Sequence, residues 1–127
     1  MTQIQHFSNT FIVQQVENLV YFLAELGMMQ YAAIMYSPSM IAASAVYAAR
    51  STLNKTPVWN ETLKLHTGFS EPQVMDCAKL LATLHSNAMK SKLRAVYRKY
   101  TSSNRGSVAF LPPAKNLLPA DSGAASV

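Results

Sequence analysis

The chain holds few side chains able to do covalent or metal chemistry: one cysteine, Cys77, and three histidines, His6, His66 and His85. Cys77 and His85 fall two helical turns apart on one face, about 12 Å along the axis, too far for two ligands of one metal ion. A cysteine at helical core spacing behaves as a small hydrophobe, so Cys77 is expected to fill space rather than attack a substrate. Ser44 lies in an alanine-rich run with no base and acid at usable spacing. Its hydroxyl is expected to bond a carbonyl one turn earlier in its own helix. No glycine-rich phosphate loop occurs. The residues predict no catalytic group, no cofactor and no metal site, and the chain reads as a non-enzyme.

A second constellation is basic. Lys90, Lys92, Arg94, Arg98, Lys99 and Arg105 interleave with Tyr97 and Tyr100, a pattern able to contact phosphates. Both tyrosines, however, share a helical face with Leu93 and Val96, which employs them in packing and leaves the charges as a solvated face. Nucleic acid is therefore not the expected partner, although a net charge of +5 and a pI near 9.5 favour acidic partners in general. The methionines, Met28, Met29, Met35, Met40, Met75 and Met89 among them, serve either as an adaptable binding face or as core filler, and filler is the commoner use.

The elements that must position these residues are helical. Ser37 can cap a helix with Pro38 at its first position, where a missing N–H costs nothing. From Met40 to Ala49 only Ser44 is polar, and a helix apolar all round is a buried one. Its alanines, Ala42, Ala45 and Ala49 included, let neighbours approach closely. The run is too short to cross a bilayer, which takes about 20 apolar residues, so no membrane partner is expected. It is read as the central helix of an all-α domain. Before it, Val16, Leu19, Val20, Leu23, Leu26 and Gly27 recur at helical spacing from Val13, in a helix expected to end near Tyr36 or somewhat earlier, with Tyr21, Phe22, Met28 and Met29 off the stripe, so that the helix either packs on two sides or has lost a neighbour. Gly27 costs about 1 kcal/mol in a helix unless it permits a close contact, for which the alanine-rich helix is the candidate.

After it, Asn60 caps a short helix over Glu61–Thr67 stopped by Gly68. Ser70 and Gln73 form a capping box that opens a helix with Val74, Cys77, Ala78, Leu81 and Leu84 inward. Lys92–Tyr100 is a last helix, followed by a loop, a short apolar segment over 108–111, and Pro112-Pro113, which bars continuation. With 127 residues and 50% hydrophobic content the chain builds one core. The expected division is an irregular segment over 1–13, one domain over 14–111 and a disordered tail over 112–127. One cysteine excludes an internal disulfide, and Met1–Thr10 lacks the pattern of a secretory signal, so an intracellular location is expected.

The stretch Tyr21-Phe-Leu-Ala-Glu-Leu-Gly-Met-Met-Gln-Tyr31, followed by Ser37-Pro-Ser-Met-Ile-Ala-Ala-Ser-Ala-Val-Tyr-Ala-Ala-Arg50, resembles the C-terminal cyclin domain of mitotic cyclins, in particular the plant B-type. Leu63-Lys-Leu-His-Thr-Gly-Phe-Ser70 and Lys92-Leu-Arg-Ala-Val-Tyr-Arg-Lys-Tyr100 follow in the same order. The resemblance covers about 14–115. It implies a cyclin box of about five helices around a buried central one, with no counterpart of the usual first helix in Met1–Thr10. It also implies regulation of a cyclin-dependent kinase, in the nucleus and cytoplasm. In the family the main kinase contacts and the substrate-docking patch lie on an N-terminal box, which has no counterpart here. From this follow a chain unable to activate a kinase alone and apolar faces prone to self-association. The fold also serves in transcription factors, which keeps a nucleic-acid adaptor, or a fragment without activity, as the alternative. No residue is assigned to partner binding.

Overall fold

The computed structural model describes residues 3–30, 32–90 and 92–119, and side chains from Val13 onward except at 32 and 33. Among the described residues six α-helices follow one another: α1 (Gln3–Met28), α2 (Ala32–Met35), α3 (Pro38–Thr52), α4 (Glu61–Thr67), α5 (Glu71–Asn87) and α6 (Arg94–Lys99). The single turn of α2 apart, this is the five-helix arrangement the resemblance implies. Short 3₁₀ turns follow at Ala88–Lys90, Ser103–Arg105, Val108–Phe110 and Lys115–Leu117. No strand occurs among the described residues.

Local chemistry sets the boundaries. Ser37 stands in extended backbone and its hydroxyl accepts the Met40 N–H at 3.2 Å. Asn60 accepts the Leu63 N–H at 2.8 Å, and Gly68 ends α4 with φ of +81°, a region open to glycine at no steric cost. Gln73 reaches back to accept the Ser70 N–H at 2.7 Å, and Glu71 occupies the first turn of α5, where the helix dipole favours a negative charge.

The central helix α3 lies between α1 and α5. Ile41, Ala43, Ser44, Ala45, Tyr47, Ala48, Ala49 and Ser51 are buried. Gly27 sits where the three helices meet: a Cβ there would lie 2.8 Å from Leu81 Cδ2 and 3.0 Å from Ile41 Cγ2. The glycine therefore permits a close approach to both neighbours, the alanine-rich helix among them. At the far end of α3, Arg50 fastens the connection to α4, donating from Nε to the Val58 carbonyl at 2.9 Å and from Nη2 to the Pro57 carbonyl at 2.7 Å. Trp59 then donates its indole N–H to the Phe69 carbonyl at 3.0 Å.

Five expectations are corrected. The stretch 1–13, which shows no hydrophobic period, is helical from Gln3, so a first helix runs where the sequence predicts none. Gln3 and Gln5 are good helix formers, and neither glycine nor proline occurs in the stretch 1–13. That helix ends at Met28 rather than near Tyr36, with α2 as a separate turn. Phe22, placed off the core stripe, is fully buried. Ala42 is exposed, so α3 keeps one solvent face, which alanine is too small to betray by periodicity. The segment 112–119 is packed rather than disordered: Ala114 and Leu117 are buried and the turn at Lys115–Leu117 rests on α5 and α3. Two prolines stop a helix without stopping burial. Residues 120–127 of the expected tail lie outside the described residues.

Candidate functional site

The residues with chemical potential are dispersed and mostly consumed by packing. Cys77 is fully buried, and burial pushes its thiol up, outweighing the Ser44 hydroxyl, which pulls it down. That is the reverse of an activated nucleophile. Ser44 does not bond a carbonyl of its own helix; its hydroxyl lies 3.4 Å from the Val74 carbonyl on α5 and 3.5 Å from the Met40 sulfur. The reason is that α5 runs close enough to supply an acceptor. His66 is exposed on α4, and the side chain of His6 lies outside those described. Among the described residues no three His, Cys, Asp or Glu side chains come together as metal ligands, and no helix is long and apolar enough to cross a membrane.

His85, weighed in the sequence only as a metal ligand, is a core residue. It is 4% exposed, and the Phe22 ring meets it edge to face at 5.1 Å and 89°. Neither ring nitrogen has a hydrogen bond of good geometry, although the Ala109 and Leu111 carbonyls lie near enough to act on the ring. Burial holds its pKa below 6.5, against the Ala109 and Leu111 carbonyls, which favour the charged form. The signal was present in the spacing of Val74, Ala78, Leu81 and His85, all on the buried face of α5.

Two buried tyrosines, also unmarked as polar anchors by the sequence, each close on a glutamate. Tyr47 donates to Glu71 Oε2 at 2.7 Å, joining α3 to α5. Tyr100 donates to Glu25 Oε1 at 3.0 Å, and Lys99 Nζ lies 3.0 Å from the same oxygen. Of the residues predicted inward on the last helix, Leu93, Val96 and Tyr100 are buried and Tyr97 is only half-buried, while Lys92, Arg94, Arg98 and Lys99 are outward. The helix proper begins at Arg94 rather than Lys92.

What remains for function is surface. One patch follows the solvent face of α1, where Val13, Tyr21 and Met28 are exposed, and continues through Met29, Ile34 and Met35, with Ile34 at 86%. A second region lies beyond α5. The end of that helix, the turn at Ala88–Lys90, α6 and the segment after Val108 border an open recess of about 210 Å³. Residues 77–119 around it carry eight of the chain's Lys and Arg residues and no Asp or Glu. Such surfaces can bind a partner; neither assembles a nucleophile with a base.

Residues 2–114 match the family described as cyclin, C-terminal domain. The chain belongs to the cyclin family. It is 64% identical over 104 residues to the G2/mitotic-specific cyclin S13-7 of Glycine max, covering 82% of the chain and 40% of that relative. It is 67% identical over 102 residues to G2/mitotic-specific cyclin-1 of Antirrhinum majus, covering 80% of the chain and 22% of the relative. With Cyclin-B1-3 of Arabidopsis thaliana it shares 61% identity over 105 residues, 83% of the chain and 25% of the relative. The resemblance to plant B-type mitotic cyclins therefore holds along most of the chain, which spans from about a fifth to two-fifths of the length of these cyclins. The cyclin match extends past the 14–111 boundaries at both ends, in keeping with a helix that starts at Gln3 and a packed segment at 112–119.

Proposed function

We propose that the chain is a cyclin-type regulatory module of the mitotic cell cycle, which acts by binding a cyclin-dependent protein kinase through helix surfaces and performs no catalysis itself. The observation that carries this reading is identity above 60% with relatives named G2/mitotic-specific cyclins over some four-fifths of the chain. In accord with it, the described side chains with reactive groups are buried, dispersed or paired, while apolar residues line the outside of α1 and α2. A nuclear and cytoplasmic distribution belongs to the same reading, and a fluorescent fusion followed through division tests it.

By itself the chain binds the kinase weakly and does not activate it. A stable complex buries about 1,600 Å² in total, and the length shared with the cyclin relatives is a minor part of theirs. The exposed run through Tyr21, Met28, Met29, Ile34 and Met35 instead favours self-association. The deciding experiment combines sedimentation of the purified chain with a kinase assay on a histone substrate, with a full-length mitotic cyclin as positive control. Concentration-dependent association without kinase stimulation is expected. A monomer that raises kinase activity would falsify the proposal of weak, non-activating binding.

A further inference from the structure

We propose that the recess between α5, α6 and the 108–113 segment docks an acidic peptide carrying one bulky apolar anchor residue. The cyclin reading assigns nothing to this surface. At about 210 Å³ the recess is smaller than the roughly 300–1,000 Å³ of small-molecule sites and suits a single side chain. Its walls are Met89, Tyr97, Phe110, Leu111 and Pro112, with His85 among the lining residues. The rings of Tyr97 and Phe110 stand edge to face at 6.3 Å and 90°. Phe110 is 65% exposed and Met89 is exposed beside it, apolar area that an inserted anchor would remove from water. His85 contributes its largely buried ring to the lining.

The rim selects the charge of the occupant. Arg94 and Arg98 are exposed; Arg94 lies three residues before Tyr97, on the same side of α6, and Arg98 follows one turn after Arg94. Lys90 follows Met89. No acidic residue occurs from Cys77 to Pro119, so these cations face no competing carboxylate from their own elements. Glu25, on α1, is already taken by Lys99 and Tyr100. A peptide with glutamates or aspartates on either side of its anchor matches this arrangement in charge. Nucleic acid matches it less well: Tyr97 and Phe110 are turned against each other and Tyr100 is buried, so a strand of bases finds no row of ring faces to stack on.

The test uses the full chain and fluorescence anisotropy with short labelled peptides in which glutamates flank a central Phe, Tyr, Trp or Leu. Saturable binding is expected with at least one anchor, and replacing that anchor by alanine should weaken it about tenfold or more. Phe110→Ala and the double variant Arg94→Glu with Arg98→Glu should each cause a similar loss, with circular dichroism unchanged. The variant Lys64→Glu with Lys79→Glu alters the net charge equally at exposed positions away from the recess and should bind as the parent does. The proposal is overturned by equal binding of the anchorless peptide, by equal weakening in the Lys64 and Lys79 variant, or by no saturable binding to any of the peptides. A single-stranded oligonucleotide that displaces the peptide at equal charge and concentration would make the surface a polyanion site instead.

Discussion

Tyr47 with Glu71 and Tyr100 with Glu25 are the same bond placed in two settings. Each joins a tyrosine at most 3% exposed to a carboxylate nearer the surface. At Tyr47 the glutamate is exposed and stands in the first turn of α5, so water and the helix dipole hold its charge. At Tyr100 the glutamate is half-buried, and its charge is balanced by Lys99 at 3.0 Å, while Arg105 lies over the tyrosine ring at 5.4 Å. Phe22 then links this second site to His85, its ring 5.3 Å from Tyr100 and 5.1 Å from the imidazole. The first glutamate leans on solvent, the second on other side chains, so the second region depends on more partners at once.

The largest way to break both sites is alkali. Burial first and the glutamates second push each phenol from 10.0 up to about 12, with Arg105 pulling Tyr100 back. The unfolded phenols ionise near 10.0 while the folded ones keep their protons to about 12. Their contribution is complete below 10.0 and drains as the pH rises through that window, by about 1.4 kcal/mol per pH unit for each phenol. Urea midpoints across the window should fall, with a shallower slope in Tyr47→Phe or Tyr100→Phe, the raised Tyr36 phenol and Cys77 thiol supplying part of the fall; a flat profile would show that neither phenol is held neutral by the fold. Next in size is Glu25→Ala, which strands the Tyr100 hydroxyl and costs about 1–3 kcal/mol, the Lys99 pair adding at most about 1. Glu71→Ala should cost less, about 1 kcal/mol, because water replaces the lost acceptor. Equal losses in urea unfolding would erase the contrast.

Acid separates the two regions in the other direction. Because burial holds the folded pKa of His85 below 6.5, the unfolded chain takes up the proton first as the pH falls. Stability is complete above 6.5 and declines below it until the folded imidazole is also charged. Proton NMR should show His85 titrating below 6.5, and backbone amides near Tyr100 should exchange sooner on acidification than those near Tyr47. Titration of His85 at 6.5 or above would contradict this. The smallest effect belongs to Arg94→Glu with Arg98→Glu. These side chains are exposed and take no part in the Glu25 bond, so the urea midpoint should stay within about 0.5 kcal/mol of the parent; a larger shift would mean that they share in holding that region together.

Legibility divides along the same line. Helix boundaries are written in single residues whose action is local: Ser37 and Pro38 open α3, Asn60 and Gly68 bracket α4, and Gln73 folds back on Ser70. The spacing of Val74, Cys77, Ala78 and Leu81 gives the buried face of α5 for the same reason, since period is a local property. The family could be read from several motifs kept in order. Contacts between distant segments leave no such mark. Nothing near Ser44 announces that its acceptor is the Val74 carbonyl, and nothing near Ala42 separates it from the buried Ala45. The burial of Leu117 depends on α3 and α5 presenting a surface to a turn that its own sequence makes look loose. The recess was half visible: His85 falls on the core spacing of α5, but the wall of Phe110, Leu111 and Pro112 arrives from a segment more than twenty residues later.

Sequence separation also gives the two tyrosine bonds different places in time. Tyr47 and Glu71 are 24 residues apart, whereas Tyr100 and Glu25 are 75 apart. Closing the longer loop costs about 1 kcal/mol more in chain entropy. The Arg50 bonds to Pro57 and Val58 span only seven and eight residues, so the corner after α3 can order while the rest of the chain is still open. Closure of Glu25 on Tyr100 brings α1 and the end of α6 together, and the longer loop is expected to close late. Glu25→Ala should then speed unfolding more than it slows refolding, which stopped-flow kinetics in urea would check.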